Sequence, residues 1–241
     1  INYDGINTQG YGGTTFLVAA PCSVEYPDLE NLAGISDGWG GMRSTSAFVN
    51  KFDDPSGATD KRAIFYNDEF SQSLEINDVG EFSQGYSVGK FKNITSTGEQ
   101  GSDVTFPDTD FPFFRLADIY LMYAEAVLRG GAGGSINQAL FYVNRLRGRA
   151  YANDPSSTEG NILQAELTLD FILDERSREL YWEGYRRTDL IRFNKFTGGS
   201  YLWPWKGDVK AGVATDDKYN LYPIPASDVN ANTNLSQNPD Y

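Results

Sequence analysis

Residues 111–147, "FPFFRLADIYLMYAEAVLRGGAGGSINQALFYVNRLR", mark the change of character that decides the fold. Pro112 suits a first helical turn and Gly130 and Gly131 suit a stop, which predicts a helix between them. Arg115, Asp118, Met122, Glu125 and Arg129 recur three or four residues apart while nearly every other position is apolar. That is the pattern of a helix buried almost all round with one polar seam. Ser135 and Gln138 then form a capping-box pair, and Ile136, Ala139, Leu140, Val143 and Leu146 keep helical spacing. The short "GGAGG" link predicts that this second helix returns antiparallel to the first. It lacks the preceding strand and the Gly-Lys-Ser/Thr ending of a phosphate loop.

A second pair follows. Thr168 can cap a helix with Asp170 in its first turn, and Leu169, Ile172, Leu173, Leu180 and Tyr181 carry the apolar period. Gly184 interrupts, and a helical pattern resumes over 185–196 with Leu190, Ile191 and Phe193 inward. Within it, "ERSRELYWEGYRRTDLIRF" (175–193) places Glu175, Glu179 and Glu183 on one face. Sequence spacing offers partners in Asp174 with Arg178, Glu175 with Arg178, Glu183 with Arg186 or Arg187, and Asp189 with Arg192. The reading is ion-paired scaffold, each exposed pair contributing only about 0.3–0.5 kcal/mol. Two such hairpins approach the tetratricopeptide period but leave open faces, because stacked repeats need more units.

Around these helices, residues 1–110 are rich in Gly, Ser, Thr, Asn and Asp. They read as loops and short strands, with "TTFLVAA" and "KRAIFY" among the short apolar runs and a short helix near "STSAFVNKF". In the tail, 221–224 reads as extended, with Pro223 and Pro225 barring a helix there. The expected class is mainly α: tetratricopeptide-like helical hairpins in an α-α superhelix, with a long loop-rich subregion and few short strands. A loop-rich ligand-binding subregion, 1–110, is expected to pack as one unit with the hairpins and tail, 111–241.

Composition narrows the chemistry. The 241 residues carry a formal net charge of −13 and no histidine. The charge opposes nucleic-acid binding, and the missing histidine removes Ser-His-Asp and Cys-His nucleophile systems. The single cysteine, Cys22, reads as a packing thiol; a lipid-modified cysteine is not expected after Pro21 without a basic leader. No apolar run reaches the ~18 residues a membrane span needs. Asp53, Asp54, Asp60, Asp108 and Asp110 lack EF-hand spacing. Neither a metal nor a cofactor is expected.

Taken in order, "FPFFRLADIYLMYAEAVLR", "ILDERSRELYWEGYRRTDLIRFNKF", "YLWPWKG" and the terminal "LYPIPASDVNANTNLSQNPDY" resemble the SusD/RagB-like nutrient-binding lipoproteins of the Bacteroides-type outer membrane. The resemblance runs from about Ser36 to Tyr241, with "GWGGMRSTSAFVNKF" as its first element. It implies a non-enzymatic, surface-exposed binding protein that captures oligosaccharides, or peptides in some branches, for a TonB-dependent, SusC-like outer-membrane transporter. It further implies that this chain is a C-terminal half, with the N-terminal half and its lipidated anchor elsewhere. The rival readings are a protein-docking helical-repeat module and a glycoside hydrolase working through two carboxylates.

A sugar site needs flat aromatic faces flanked by hydrogen-bonding groups. Trp39, in "SDGWGGMR", is framed by glycines, with Asp37 and Arg43 near in sequence. Those glycines suit a tryptophan presented to ligand and equally one that plugs the loop onto the core. Tyr11, in "TQGYGGTTF", and Tyr26, in "VEYPDLEN", complete the candidates. Trp203 and Trp205 read as packing residues.

Overall fold

The computed structural model describes residues 4–7, 9–23, 28–66 and 72–241. The chain is mainly helical: α1 (Thr14–Ala19), α2 (Leu29–Ala33), α3 (Ser46–Val49), α4 (Leu116–Leu128), α5 (Ile136–Ala152), α6 (Leu169–Leu180), α7 (Arg186–Arg192) and α8 (Ala226–Ala231). One antiparallel ribbon pairs β1 (Phe65–Tyr66) with β2 (Ser87–Val88), Phe65 opposite Val88. The chain divides into two compact units, Ile1–Tyr185 and Arg186–Tyr241.

The helical hairpin forms as its sequence dictates. Ser135 Oγ accepts from Gln138 N at 3.1 Å, capping α5, and Thr168 Oγ1 accepts from Phe171 N at 3.2 Å, capping α6. Such caps satisfy one of the amides a helix start leaves open, worth about 1 kcal/mol. Gly130 closes α4 with φ 85°, a conformation that costs glycine little. α4 packs on both α5 and α6; Tyr120 and Tyr142 stack at 4.3 Å between the first two. Leu121, Ala124, Ala139, Val143, Ile172 and Leu173 fill the shared core.

Three local expectations need correction. α4 starts at Leu116 with Arg115 extended before it, so Pro112 precedes the helix instead of opening it. Nor is α4 buried all round: Leu116, Ile119 and Met122 are exposed, beside Phe113 and an 86% exposed Phe114. Apolar spacing shows that a face seeks cover; it does not say that this stretch of chain supplies it. Finally, the short apolar run "TTFLVAA" forms α1 instead of a strand; in the tail, 221–224 is free of helix as expected, and α8 begins only at Ala226, with Pro225 as its N-cap.

The loop-rich part has its own cores. Val18, Ala19, Cys22, Leu29, Ala33, Ile35 and Tyr66 form one; burial pushes the Cys22 thiol up to about 12, so it behaves as a small hydrophobe. Phe52, Ala63, Val88 and Tyr181 form another. Tyr181 directly follows α6, and its hydroxyl donates to Arg62 O at 2.6 Å. The end of α6 is thereby fixed inside the loop-rich segment.

In Arg186–Tyr241, Phe196 stacks on Trp203 at 6.1 Å, and buried Lys206 donates to the carbonyls of Gly198 and Tyr201 at 2.8 and 2.9 Å. This gives the "WPWKG" element its packing role.

Candidate functional site

Two constellations stand out in Ile1–Tyr185: a row of aromatic rings in the loops and the charged face of α6.

The rings are placed by backbone pairing of residues 39–42 against the end of α1. Trp39 N donates to Ala19 O at 2.9 Å, Gly40 N to Cys22 O at 2.6 Å and Met42 N to Ala20 O at 3.0 Å. Approach is close enough that a Cβ on residue 38 would lie 2.6 Å from Cys22 O, so only glycine fits. Gly40 takes φ 65°. The glycines thus press the backbone down while leaving the Trp39 side chain 37% exposed. The backbone is packed and the ring is part-exposed.

Trp39 has aromatic neighbours on two sides. Its ring lies 6.4 Å from Tyr11 and 6.1 Å from Phe16; Tyr11 reaches Phe106 at 5.2 Å, and Phe16 stacks on Trp182 at 6.5 Å and 19°. Tyr11 is 65% and Phe16 40% exposed. Trp182 is fixed from beneath, Nε1 donating to Leu17 O at 2.9 Å with φ 63°. The five rings form one row. Sequence spacing gave no hint of Phe16, Phe106 and Trp182, which arrive from α1, a distant loop and the turn after α6.

Asp37 is exposed two residues before Trp39, and its carboxylate has no hydrogen bond among the described residues. Arg43 does something else. It donates to Glu81 O, to Gln84 O at 2.9 Å and to Val79 O at 2.8 Å, and lies 4.9 Å over the Phe82 ring. Its guanidinium thereby fixes the 79–84 loop beside residues 39–43, with Phe82 exposed. Tyr26 lies outside the described residues.

Glu175 and Glu179 of α6, with Glu183 just past its end, belong to a buried network, not to an exposed ladder. Glu175 accepts from Arg62, Arg147 and Arg178 at 2.7–3.0 Å; Glu179 from Arg62, Arg115 and Arg149 at 2.6–3.0 Å; Glu183 from Arg115 at 2.7 Å and from Lys90. Asp118 of α4 takes Arg176 at 2.8 Å. Of the expected partners, Glu175–Arg178 and Asp189–Arg192 form, whereas Asp174 pairs with Lys51 at 2.7 Å and Glu183 pairs with Arg115 and Lys90 instead of Arg186 or Arg187. Sequence spacing sees only neighbours on one helix, whereas Arg115, Lys90 and Lys51 lie 68, 93 and 123 residues from the acids they meet. Burial opposes charge on Glu175 and Glu179, yet Arg62 and its companions hold both carboxyls below the usual range. A glycosidase general acid needs the opposite, a raised value.

The loop aspartates act as staples. Asp108 accepts from Gly5 N and Ser102 N, both at 2.6 Å, and Asp54 from Ser56 N at 3.0 Å. Among the described residues, no group of three or more acids and cysteines is placed to hold a metal ion, and no helix is long and apolar enough to cross a membrane.

The chain is similar to known proteins. Residues 71–241 match the SusD family. The starch-binding protein SusD of Bacteroides thetaiotaomicron is 34% identical over an alignment spanning all of this chain and 48% of that protein. Surface glycan-binding protein A from the same organism superposes with TM-score 0.64 at 22% identity, covering 99% of this chain and 50% of that one. Its complex with laminarihexaose gives TM-score 0.63 at 24% identity, covering 94% and 47%. The chain therefore spans about half the length of these proteins.

Proposed function

The chain belongs to the SusD family, and from that premise we propose that it supplies part of a glycan-binding surface. The observation that carries the reading is the row of rings centred on Trp39, with Tyr11, Trp39 and Phe16 exposed side by side. Flat rings pack against the apolar faces of pyranoses, and the Asp37 carboxylate accepts from sugar hydroxyls. Arg43 contributes by holding the 79–84 loop in place. Each contact is weak, so affinity grows with the number of sugar rings engaged. That relatives are named for binding starch and for a laminarihexaose complex supports an oligosaccharide over a peptide.

In this reading residues 1–110 form the ligand-binding subregion. The rest of the polypeptide, an N-terminal half with a lipid anchor, covers the exposed Phe113, Phe114, Leu116, Ile119 and Met122 face and completes the site. The assembled protein sits at the cell surface on the outer membrane and passes glycan to a TonB-dependent transporter.

Affinity electrophoresis of the full-length protein through gels containing starch or laminarin tests the site. Trp39→Ala is expected to weaken binding at least tenfold, about 1.4 kcal/mol, without a shift in Tm. Unchanged retardation of Trp39→Ala on every glycan that retards the wild type would sink the assignment.

A further inference from the structure

The network beneath α6 opens to solvent in a cleft of about 520 Å³ that the glycan reading does not use. Five cations, Lys61, Arg62, Lys90, Arg115 and Arg149, line it against two acids, Glu179 and Glu183. The imbalance extends inward. Arg62, Lys90, Arg115, Arg147, Arg149 and Arg178 are connected through only four acids, Asp60, Glu175, Glu179 and Glu183. A chain of net charge −13 thus inverts its sign at one concavity. Low-dielectric walls focus such a field, and the species it draws in is an anion.

The hydrogen bonds at the mouth point the same way. Arg149 gives only Nη2 to Glu179, at 2.6 and 2.7 Å. Its Nε and Nη1 have no acceptor among the described residues, and its side chain is 44% exposed. Asn153, held left-handed at the end of α5 with φ 56°, adds an uncommitted amide to the lining. Lys61 reaches the carbonyls of Gly57 and Ala58 and retains a third ammonium proton. Deeper, Lys90 is held down to about 8 by burial and by the Arg115 charge, against the pull of Glu183 and Glu179.

We propose that this cleft is a second binding site, separate from the aromatic row, that takes a small ligand bearing a carboxylate, with Arg149, Lys61 and Asn153 as its contacts. The Nε and Nη1 donors of Arg149, which face different sides of the guanidinium, each offer a charge-assisted hydrogen bond to an anionic oxygen. The volume fits a small molecule and exceeds what one side chain needs. The negative charge follows from the cleft itself; the choice of a carboxylate-bearing acidic sugar as its carrier rests on the glycan-binding reading.

Calorimetry on the full-length protein with trigalacturonate, and in parallel with neutral laminarihexaose, tests this. Trigalacturonate is expected to bind, to weaken as salt rises, and to lose at least tenfold in affinity with Arg149→Gln and about threefold with Lys61→Gln. Lys61 is exposed and outside the ion network, so its variant keeps the test valid if Arg149→Gln folds poorly. Absence of trigalacturonate binding, or equal affinity in wild type and both variants, overturns the proposal. So does a fall of several degrees in the Tm of ligand-free Arg149→Gln with no trigalacturonate binding to wild type, which means that an acidic segment of the polypeptide fills the cleft. Laminarihexaose results bear only on the aromatic row, so the two readings fail separately.

Discussion

Glu175→Gln is the sharpest test of the buried network. Glu175 is fully buried, and its carboxylate accepts from Arg62 Nη1 at 2.8 Å, from Arg147 Nη1 at 3.0 Å and from Arg178 Nε and Nη2 at 2.9 and 2.7 Å. Glutamine preserves the shape but replaces one acceptor with an amide donor facing guanidinium donors. It also removes a negative charge from a place that already has too few. Breaking a buried pair by removing one partner costs about 3–5 kcal/mol, against about 0.3–0.5 for the exposed helix pair that sequence spacing suggests. Urea unfolding at pH 7, which leaves electrostatics unscreened, measures the difference. A loss below about 1 kcal/mol refutes the argument for this site. The pH dependence gives a second check. Burial opposes the charge, but Arg62, Arg178 and Arg147 hold the carboxyl well below the ordinary glutamate range. A depressed folded value contributes stability that is present above the unfolded pKa and is lost as pH falls toward the folded one. The gap between wild type and Glu175→Gln should therefore narrow from about pH 5 downward, and a gap independent of pH contradicts the assignment.

Two further outcomes are expected. Gly38→Ala places a Cβ 2.6 Å from Cys22 O, whereas Gly41→Ala meets nothing within 4 Å; the first should lift Trp39 off α1, weaken glycan retardation and cost about 1–3 kcal/mol, and equal behaviour of the two variants in both assays rules that out. Lys90 is lowered to about 8, first by burial, so between about pH 8 and 10 the unfolded chain holds a proton that the folded chain has released. Stability relative to Lys90→Gln should rise across that window in urea titrations; a flat or falling difference argues against it.

The hairpins were legible because their determinants are local. Ser135 with Gln138, Thr168 with Phe171 N and the Gly130 stop act within one turn of chain, and a period of 3.6 residues needs no knowledge of what lies opposite. What lies opposite was the part that did not read out. Glu183 spaced to Arg186 and Arg187 carries no sign that Arg115, 68 residues away, reaches it first. Phe113, Phe114 and Leu116 likewise carry no mark that their apolar surface stays uncovered within this chain.

The charged segment and the glycine-framed tryptophan exchange roles for one physical reason. A carboxylate advertises chemistry only when its charge is unspent, and Glu175, Glu179 and Glu183 are each answered by guanidinium or ammonium groups that cost too much to bury alone. The residual is positive, so the part of that network available to a ligand is its arginine edge at Arg149, not its glutamates. Trp39 shows the converse. Gly38 and Gly40 let its backbone lock onto α1 through the carbonyls of Ala19 and Cys22, and a ring held by its main chain has no need to bury its faces. Rigidity beneath and exposure above come from the same two glycines. On the glycan-binding reading, that combination spares a stacking surface the ordering cost of binding, so the small residues around the tryptophan count for as much in that proposal as the ring they carry.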